Sequence, residues 1–143
     1  MKNEIVIKNA KITDVSITMA DHGCLTFYLS LESEGFGCNY GGYCIGFGYL
    51  GAEPDELCSE NGHGLEAMMH IMNVVGVSRW EDLEGKYCRI KYAGWGESVT
   101  SIGNIIKDQW FDIDDFFKQR KKQVYSELTK QNNDNKDRFE AGG

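Results

Sequence analysis

Proline, long apolar runs and local cysteine pairs are scarce in this chain of 143 residues. Proline occurs once, at Pro54, and no apolar run approaches the roughly 20 residues that a membrane-spanning helix needs. The first eleven residues also lack the apolar segment of a secretory signal. We therefore expect a globular cytoplasmic protein that has no membrane partner.

Five cysteines lie far apart, and their spacing excludes the common cysteine-based sites. They are Cys24, Cys38, Cys44, Cys58 and Cys88. An odd number with no Cys-x-x-Cys pair argues against a disulfide framework of the secreted kind. Together with His22 and His63 they match no zinc-binding pattern. We predict no metal and no cofactor, with reduced thiols used as small core residues.

Signatures of catalysis and of phosphate binding are missing as well. The glycine-rich segment at 41–48, GGYCIGFG, has no lysine at the phosphate-binding position and is predicted to be a strand. His70 follows Glu66 by four residues on a predicted helix, which is typical of a surface pair. No acid–base pair has a spacing that demands catalysis, so we predict that the protein is not an enzyme.

Charge is distributed unevenly along the chain, whose net charge is −7. Residues 1–117 hold 18 acidic and 8 basic residues, whereas residues 118–143 hold 7 basic and 4 acidic ones. Proteins that bind nucleic acid usually present a basic face, which the average charge disfavours but a local strip can still provide. An acidic surface can instead attract basic surfaces of other proteins.

Alternating apolar residues predict several strands. A hairpin is expected at about residues 12–32, with Leu25, Phe27, Leu29 and Leu31 on one face of its second strand. Residues 35–51 contain seven glycines and predict a third, strongly curved strand. Further strands are expected at 86–92 and 99–106.

Two helices and one short helical turn are predicted. Apolar residues at Leu65, Met68, Met69, Met72 and Val75 form a stripe of helical period, and Gly76 is expected to end that helix. A short helical turn is expected at 78–81, docked by Trp80 and Leu83. A second helix follows residue 112.

This order of elements favours the mainly β, α+β class. It fits a small OB-like barrel of five antiparallel strands with a helix between strands 3 and 4 and a C-terminal helix. The alternative is an open, strongly curved antiparallel sheet with helices packed on one side. We expect one globular domain at 1–117, a helical extension at 118–130 and a disordered tail at 131–143.

Two surfaces are candidates for binding. The first is an acidic surface in which carboxylates flank one tryptophan and which suits a basic groove on another protein. Its candidate residues are Glu53, Asp55, Glu56, Glu60, Trp80, Glu81 and Asp82.

The second is a patch that interleaves basic and aromatic residues, the pattern used to bind single-stranded nucleic acid. Its candidate residues are Tyr43, Phe47, Tyr87, Arg89, Lys91, Tyr92 and Trp95.

Several segments resemble a widespread set of small phage and prophage proteins that have no assigned activity. The resemblance is carried by KNAKIT, DHG, GGY, VGVSRWEDLEGKY and KDQWFDIDDFF and covers roughly residues 5–117. The element order is also similar to that of phage OB-fold proteins that bind single-stranded DNA, whose tails are typically acidic, unlike the basic tail here. The resemblance implies a gene on a mobile element in a bacterium, and it assigns no residue a role.

We therefore expect a phage-encoded accessory protein in the cytoplasm of the bacterial host. Its partner is predicted to be a host defence protein or nucleoprotein complex, which the acidic surface blocks as anti-CRISPR inhibitors do. The alternative is an accessory factor of phage replication or recombination that binds single-stranded DNA. Neither expectation fixes the oligomeric state.

Overall fold

The computed structural model describes residues 4–21, 23–48, 51–59, 62–94, 96–122 and 128–130, with only the backbone for 20 and 21. The chain divides into two compact units, Met1–Ile113 and Asp114–Gly143. The second unit is helical at 114–122 and 128–130. The disordered tail predicted at 131–143 lies outside the described residues.

One antiparallel sheet dominates the first unit. Its strands are β1 (Val6–Asp21), β2 (Cys24–Ser33), β3 (Phe36–Phe47), β4 (Cys58–Ser59), β5 (Tyr87–Tyr92), β6 (Val99–Gly103) and β7 (Trp110–Asp112). They lie in the order β4-β3-β2-β1-β5-β6-β7. Helix α1 (His63–Val75) follows β4, and short 3-10 helices span Pro54–Glu56 and Trp80–Leu83.

The mainly β class is confirmed, but the five-stranded barrel is wrong. Seven strands form the sheet in the described part of the chain, and its edge strands β4 and β7 are not paired with each other. Helix α1 follows the fourth strand rather than the third. Strands β4 and β7 have two and three residues, too few for alternation to reveal them in the sequence.

The predicted hairpin is confirmed, with Val15 opposite Leu29 and Ile17 opposite Phe27. Phe27 and Leu29 are fully buried on the predicted face of β2. Strand β1 extends beyond the hairpin because its first half also pairs with β5. The pairing of β1 with β2 has a register shift between Ile12 and Asp14. Ile17, in the second half of β1, is exposed.

The sheet curls so that β3 approaches β6 and β7, which are not its neighbours. The buried Tyr40 hydroxyl lies 3.0 Å from the carbonyl oxygen of Phe111 and 3.3 Å from that of Thr100. It also accepts a hydrogen bond from the Ile113 amide at 3.2 Å. The Tyr40 side chain thus links β3 to β6 and β7, which are not paired with β3 in the described sheet.

Helix α1 packs against β3 on a face different from the predicted stripe. Its buried residues are Gly64, Ala67, Met68, Ile71 and Val74, whereas Leu65 and Met69 are exposed. Gly64 sets this orientation, because a Cβ there would lie 2.8 Å from the Cys44 carbonyl oxygen. The helix ends at Gly76 as predicted, with a left-handed φ of 95°.

Candidate functional site

The first group of predicted acidic residues lies beside the short edge strand β4. Glu53, Asp55 and Glu56 are exposed in and next to the 3-10 helix Pro54–Glu56. Two of these carboxylates lie in the first turn of that helix, and the next residue, Leu57, ends it. Glu60 lies outside the described residues.

Apolar side chains adjoin these carboxylates. Met19, Leu25, Ile45, Phe47 and Leu57 line a surface hollow of about 380 Å³. Three of them remain substantially exposed: Met19 at 37%, Phe47 at 45% and Leu57 at 49%. Leu57 reaches the hollow because its side chain lies over Gly48, where a Cβ would block it. Contiguous exposed apolar surface bordered by polar groups is typical of protein interaction sites.

We call this region the acidic edge: Glu53, Asp55 and Glu56 together with Met19, Phe47 and Leu57. The sequence predicted its carboxylates, but it placed Phe47 in the other candidate surface and did not single out Met19 or Leu57. Those residues are brought together by pairing between distant segments, with Phe47 opposite Cys24 in β2 and opposite Cys58 in β4.

The second group of predicted acidic residues lies in the 3-10 helix Trp80–Leu83. Leu83 is fully buried, and the Trp80 ring packs edge-on against Phe27 with the centroids 5.9 Å apart. These two residues therefore dock the turn as predicted. Glu81 and Asp82 are exposed. The turn begins two residues later than the predicted 78–81, and its N-cap residue, Arg79, makes no side-chain cap hydrogen bond.

Arg79 compensates the charge of Glu81. The Nε and Nη2 atoms of Arg79 donate to the same Glu81 oxygen at 3.0 and 2.6 Å. The pKa of Glu81 is lowered first by a hydrogen bond to its own backbone and then by Arg79, whose own pKa is raised. Both side chains are exposed, so solvent screens this ion pair.

Part of the predicted nucleic-acid patch forms a coherent surface. Tyr87, Arg89 and Lys91 alternate with the buried residues of β5 and share its outer face. Strand pairing brings two more residues to this face. Lys11 of β1 lies opposite Tyr87, and Trp110 of β7 lies opposite Gly103 of β6, which is itself opposite Arg89. We call these five residues the basic-aromatic face.

Cations lie over both aromatic rings of this face. Arg89 is 4.7 Å and Lys91 3.9 Å from the centre of a Trp110 ring, and Lys11 is 5.9 Å from that of Tyr87. The indole packs flat on β6 because Gly103 has no side chain, and a Cβ there would lie 2.5 Å from the ring. The sequence analysis missed Trp110, whose three-residue strand carries no alternation signal.

Arg89 also holds the loop that joins β6 to β7. Its Nε donates to the Asn104 carbonyl and its Nη2 to the Lys107 carbonyl, both at 2.7 Å. The Asn104 side chain accepts from the amides of Ile106 and Lys107 and donates to the Val74 carbonyl at the end of α1. Arg89 is therefore a structural residue as well as a surface cation.

The remaining residues predicted for the nucleic-acid patch lie elsewhere. Tyr92 shares the inner face of β5 with Ile90 and packs edge-on against Phe36, with the centroids 5.5 Å apart. Tyr43 and Phe47 belong to β3, which β1 and β2 separate from β5 in the sheet. Trp95 lies outside the described residues. The seven predicted residues thus do not form one patch.

Burial disfavours the thiolate form of two cysteines, the half-buried Cys38 and the buried Cys88. Burial raises the pKa of Cys38, and it raises the pKa of Cys88 to about 12, with a further contribution from the charge of Cys38. A protonated thiol is a poor nucleophile and a poor metal ligand. Among the described residues, no group of three or more His, Cys, Asp or Glu side chains could hold a metal ion.

Two further findings concern membranes and relatives. No helix within the described ranges has both the length and the apolar character to cross a membrane. No protein-family model, curated protein or solved structure matches the chain. The geometry of its surfaces is therefore the basis for the proposals that follow.

Proposed function

We propose that the protein is a phage-encoded accessory binding protein that blocks a bacterial defence component by covering a basic groove with its acidic edge. The observation that carries the proposal is that exposed Glu53, Asp55 and Glu56 directly precede Leu57, which lines an apolar surface hollow together with exposed Phe47. The resemblance of segments 8–13, 75–87 and 107–117 to phage proteins supports the setting.

The two kinds of side chain have complementary uses in such a contact. Carboxylates attract a basic surface and favour one orientation, and the net charge of −7 adds to this attraction. Apolar side chains at the centre of an interface supply most of the affinity once they are buried. A protein surface that normally binds nucleic acid is basic and often has apolar groups that contact the bases. Such a surface can therefore bind both the carboxylates and the apolar side chains of the acidic edge.

The test measures how well a targeted phage plates on strains that each carry one CRISPR–Cas system. Expression of the protein is expected to restore plating in at least one strain. The triple variant Glu53→Lys, Asp55→Lys, Glu56→Lys should lose this effect, because like charges then face the groove. A control triple, Glu4→Lys, Asp14→Lys, Glu84→Lys, changes three exposed acids elsewhere by the same total charge and should keep it.

Two results would refute the proposal. Either no strain is rescued by the unaltered protein, or rescue persists at full strength in the acidic-edge variant. Purified variants are first compared by thermal unfolding, since all six substituted residues are exposed and should leave the fold intact.

The basic-aromatic face favours a second candidate, an accessory protein of phage replication or recombination that binds single-stranded DNA. Three cations around two rings match the way phosphates and bases are held along a strand. This candidate predicts quenching of tryptophan fluorescence by an unstructured oligonucleotide at low salt, with reversal at high salt.

A double variant sharpens this second test. Lys11→Ala with Lys91→Ala should reduce the steepness of log affinity against log salt by about 1.4, since each lysine neutralises one phosphate and each phosphate of a single strand contributes about 0.7. Arg89 is left intact because it also holds the 104–107 loop. Lys118→Ala with Lys122→Ala is the charge-matched control. No quenching at low salt, or an unchanged slope in the double variant, removes this candidate.

A further inference from the structure

A second recess opens at the end of the curled sheet, where the β2–β3 turn meets the β5–β6 connection. It has a volume of about 670 Å³, within the range of ligand-binding pockets. Its lining is largely apolar and includes Val6, Phe36, Tyr92 and Val99. We call it the end cleft.

Two aromatic rings and several glycines shape the end cleft. Phe36 and Tyr92 meet edge-on at an interplanar angle of 74°, and both side chains are half-buried. Gly35 and Gly94 line the walls at positive φ of 83° and 115°, and a Cβ at either would point into open space. These two glycines therefore add no side chain to the walls of the cleft.

The lining of the end cleft has more acidic than basic residues. Glu34 and Glu97 contribute carboxylates, and Lys8 contributes the one ammonium group among the described lining residues. All three are exposed. Aromatic rings attract cations through the negative charge of their faces, so two carboxylates beside two rings favour a cation over an anion.

We propose that the end cleft receives an arginine side chain of a protein partner. A guanidinium group is planar, stacks on aromatic faces and pairs with carboxylates, whereas a lysine ammonium is compact and strongly hydrated. The volume of the cleft also accommodates the backbone on either side of the arginine. This inference concerns a different surface from the acidic edge and does not depend on the defence partner.

The experiment titrates the full chain with Nα-acetyl-arginine methylamide and follows the aromatic ring signals of Phe36 and Tyr92 by NMR. The citrulline analogue is the matched probe, because it keeps the shape and loses the charge. The corresponding lysine derivative is a third probe. We expect saturable chemical-shift changes with the arginine probe and clearly weaker binding of the lysine and citrulline probes.

Three conservative variants test the sign of the charge that is bound. Glu34→Gln and Glu97→Gln should each weaken binding by about two- to fivefold, the range of exposed ion pairs. Lys8→Gln should strengthen it, because an opposing charge is removed. Glu4→Gln, an exposed acid outside the lining, should change nothing.

Other results would overturn the inference. Stronger binding after the glutamate substitutions and weaker binding in Lys8→Gln would indicate an anion site. Equal affinity for the citrulline probe would indicate apolar binding without recognition of charge. Absence of shifts at Phe36 and Tyr92 at high probe concentration would show that the cleft is not an arginine site. None of these outcomes bears on the plating test.

Discussion

The middle and the end of β3 differ in what surrounds them. In the middle, Tyr40 is buried and its hydroxyl reaches the backbone of β6 and β7. At the end, Phe47 pairs with the two-residue β4 and stays 45% exposed beside the acidic edge. The same strand therefore closes the curl at one point and leaves apolar surface uncovered at another. Closure serves stability, and the uncovered end is available for binding.

The middle of β3 is covered by the ring of Phe27 from β2, which lies so close that a Cβ at Gly41 would be 3.1 Å from it. Removal of this ring and of the Phe47 ring at the end of β3 should separate the two roles most strongly. Phe27→Ala should destabilise the fold by about 3–5 kcal/mol, because Phe27 is fully buried against Trp80. Phe47→Ala should change stability by less than about 1 kcal/mol. Urea denaturation measures both. A large effect of Phe47→Ala would mean that this end of β3 is as closed as the middle.

Thiol labelling compares the open end of β3 with the interior of the sheet without a change in packing. Cys58 in β4 is exposed, whereas Cys88 is buried with a pKa raised to about 12. At pH 8 the Cys58 thiol should react at least about 100-fold faster than that of Cys88. Site-resolved mass spectrometry after iodoacetamide treatment measures the rates. Similar rates would show that the interior opens readily.

Loss of a single hydroxyl tests the side-chain link across the curl. Tyr40→Phe should destabilise the protein by about 1–3 kcal/mol, because buried backbone groups of Phe111 and Ile113 lose their partner. The control, Tyr87→Phe, removes the hydroxyl of a residue that is 60% exposed and should stay within about 0.5 kcal/mol. Equal effects in a denaturation experiment would refute the role given to Tyr40.

The smallest effect is expected at the ion pair of Arg79. Arg79→Gln should raise the pKa of Glu81 toward the ordinary glutamate value, as followed by NMR. Because the folded pKa is lowered, the pair stabilises the protein above the usual glutamate pKa, and this contribution disappears as the pH falls through the folded value. An unchanged pKa in the variant would assign the shift to the backbone hydrogen bond alone.

Local patterns predicted the elements that local interactions determine. Alternation identified β2 and its buried face, and the glycine at 76 identified the end of α1. The phase of α1 was missed because it depends on Gly64 fitting against Ile45 and Cys44, which are far away in sequence. Strand β3 also defeats simple alternation, since register shifts near Thr26 place both Tyr40 and Ile45 in the core.

Each candidate surface was predicted only in part, because only part of it lies within one continuous segment. The shared face of Tyr87, Arg89 and Lys91 follows from period two within a single strand. Their partners Lys11 and Trp110 enter only through pairing across β1, β6 and β7. Similarly, composition marked the carboxylates at 53–56, whereas the neighbouring Met19 is brought there by the sheet. Each surface joins segments whose proximity depends on the fold.

The 104–107 loop has a consequence for how this protein can diversify. Its shape depends on the Asn104 side chain, on Arg89 and on backbone groups, and the aliphatic side chains of Ile105 and Ile106 form no hydrogen bonds that would hold it. Ile106 is nevertheless 86% exposed at the tip. Mutation at 105 and 106 can therefore alter what the tip touches while the scaffold stays the same. Substitutions at such a position can change binding contacts during evolution with little effect on folding.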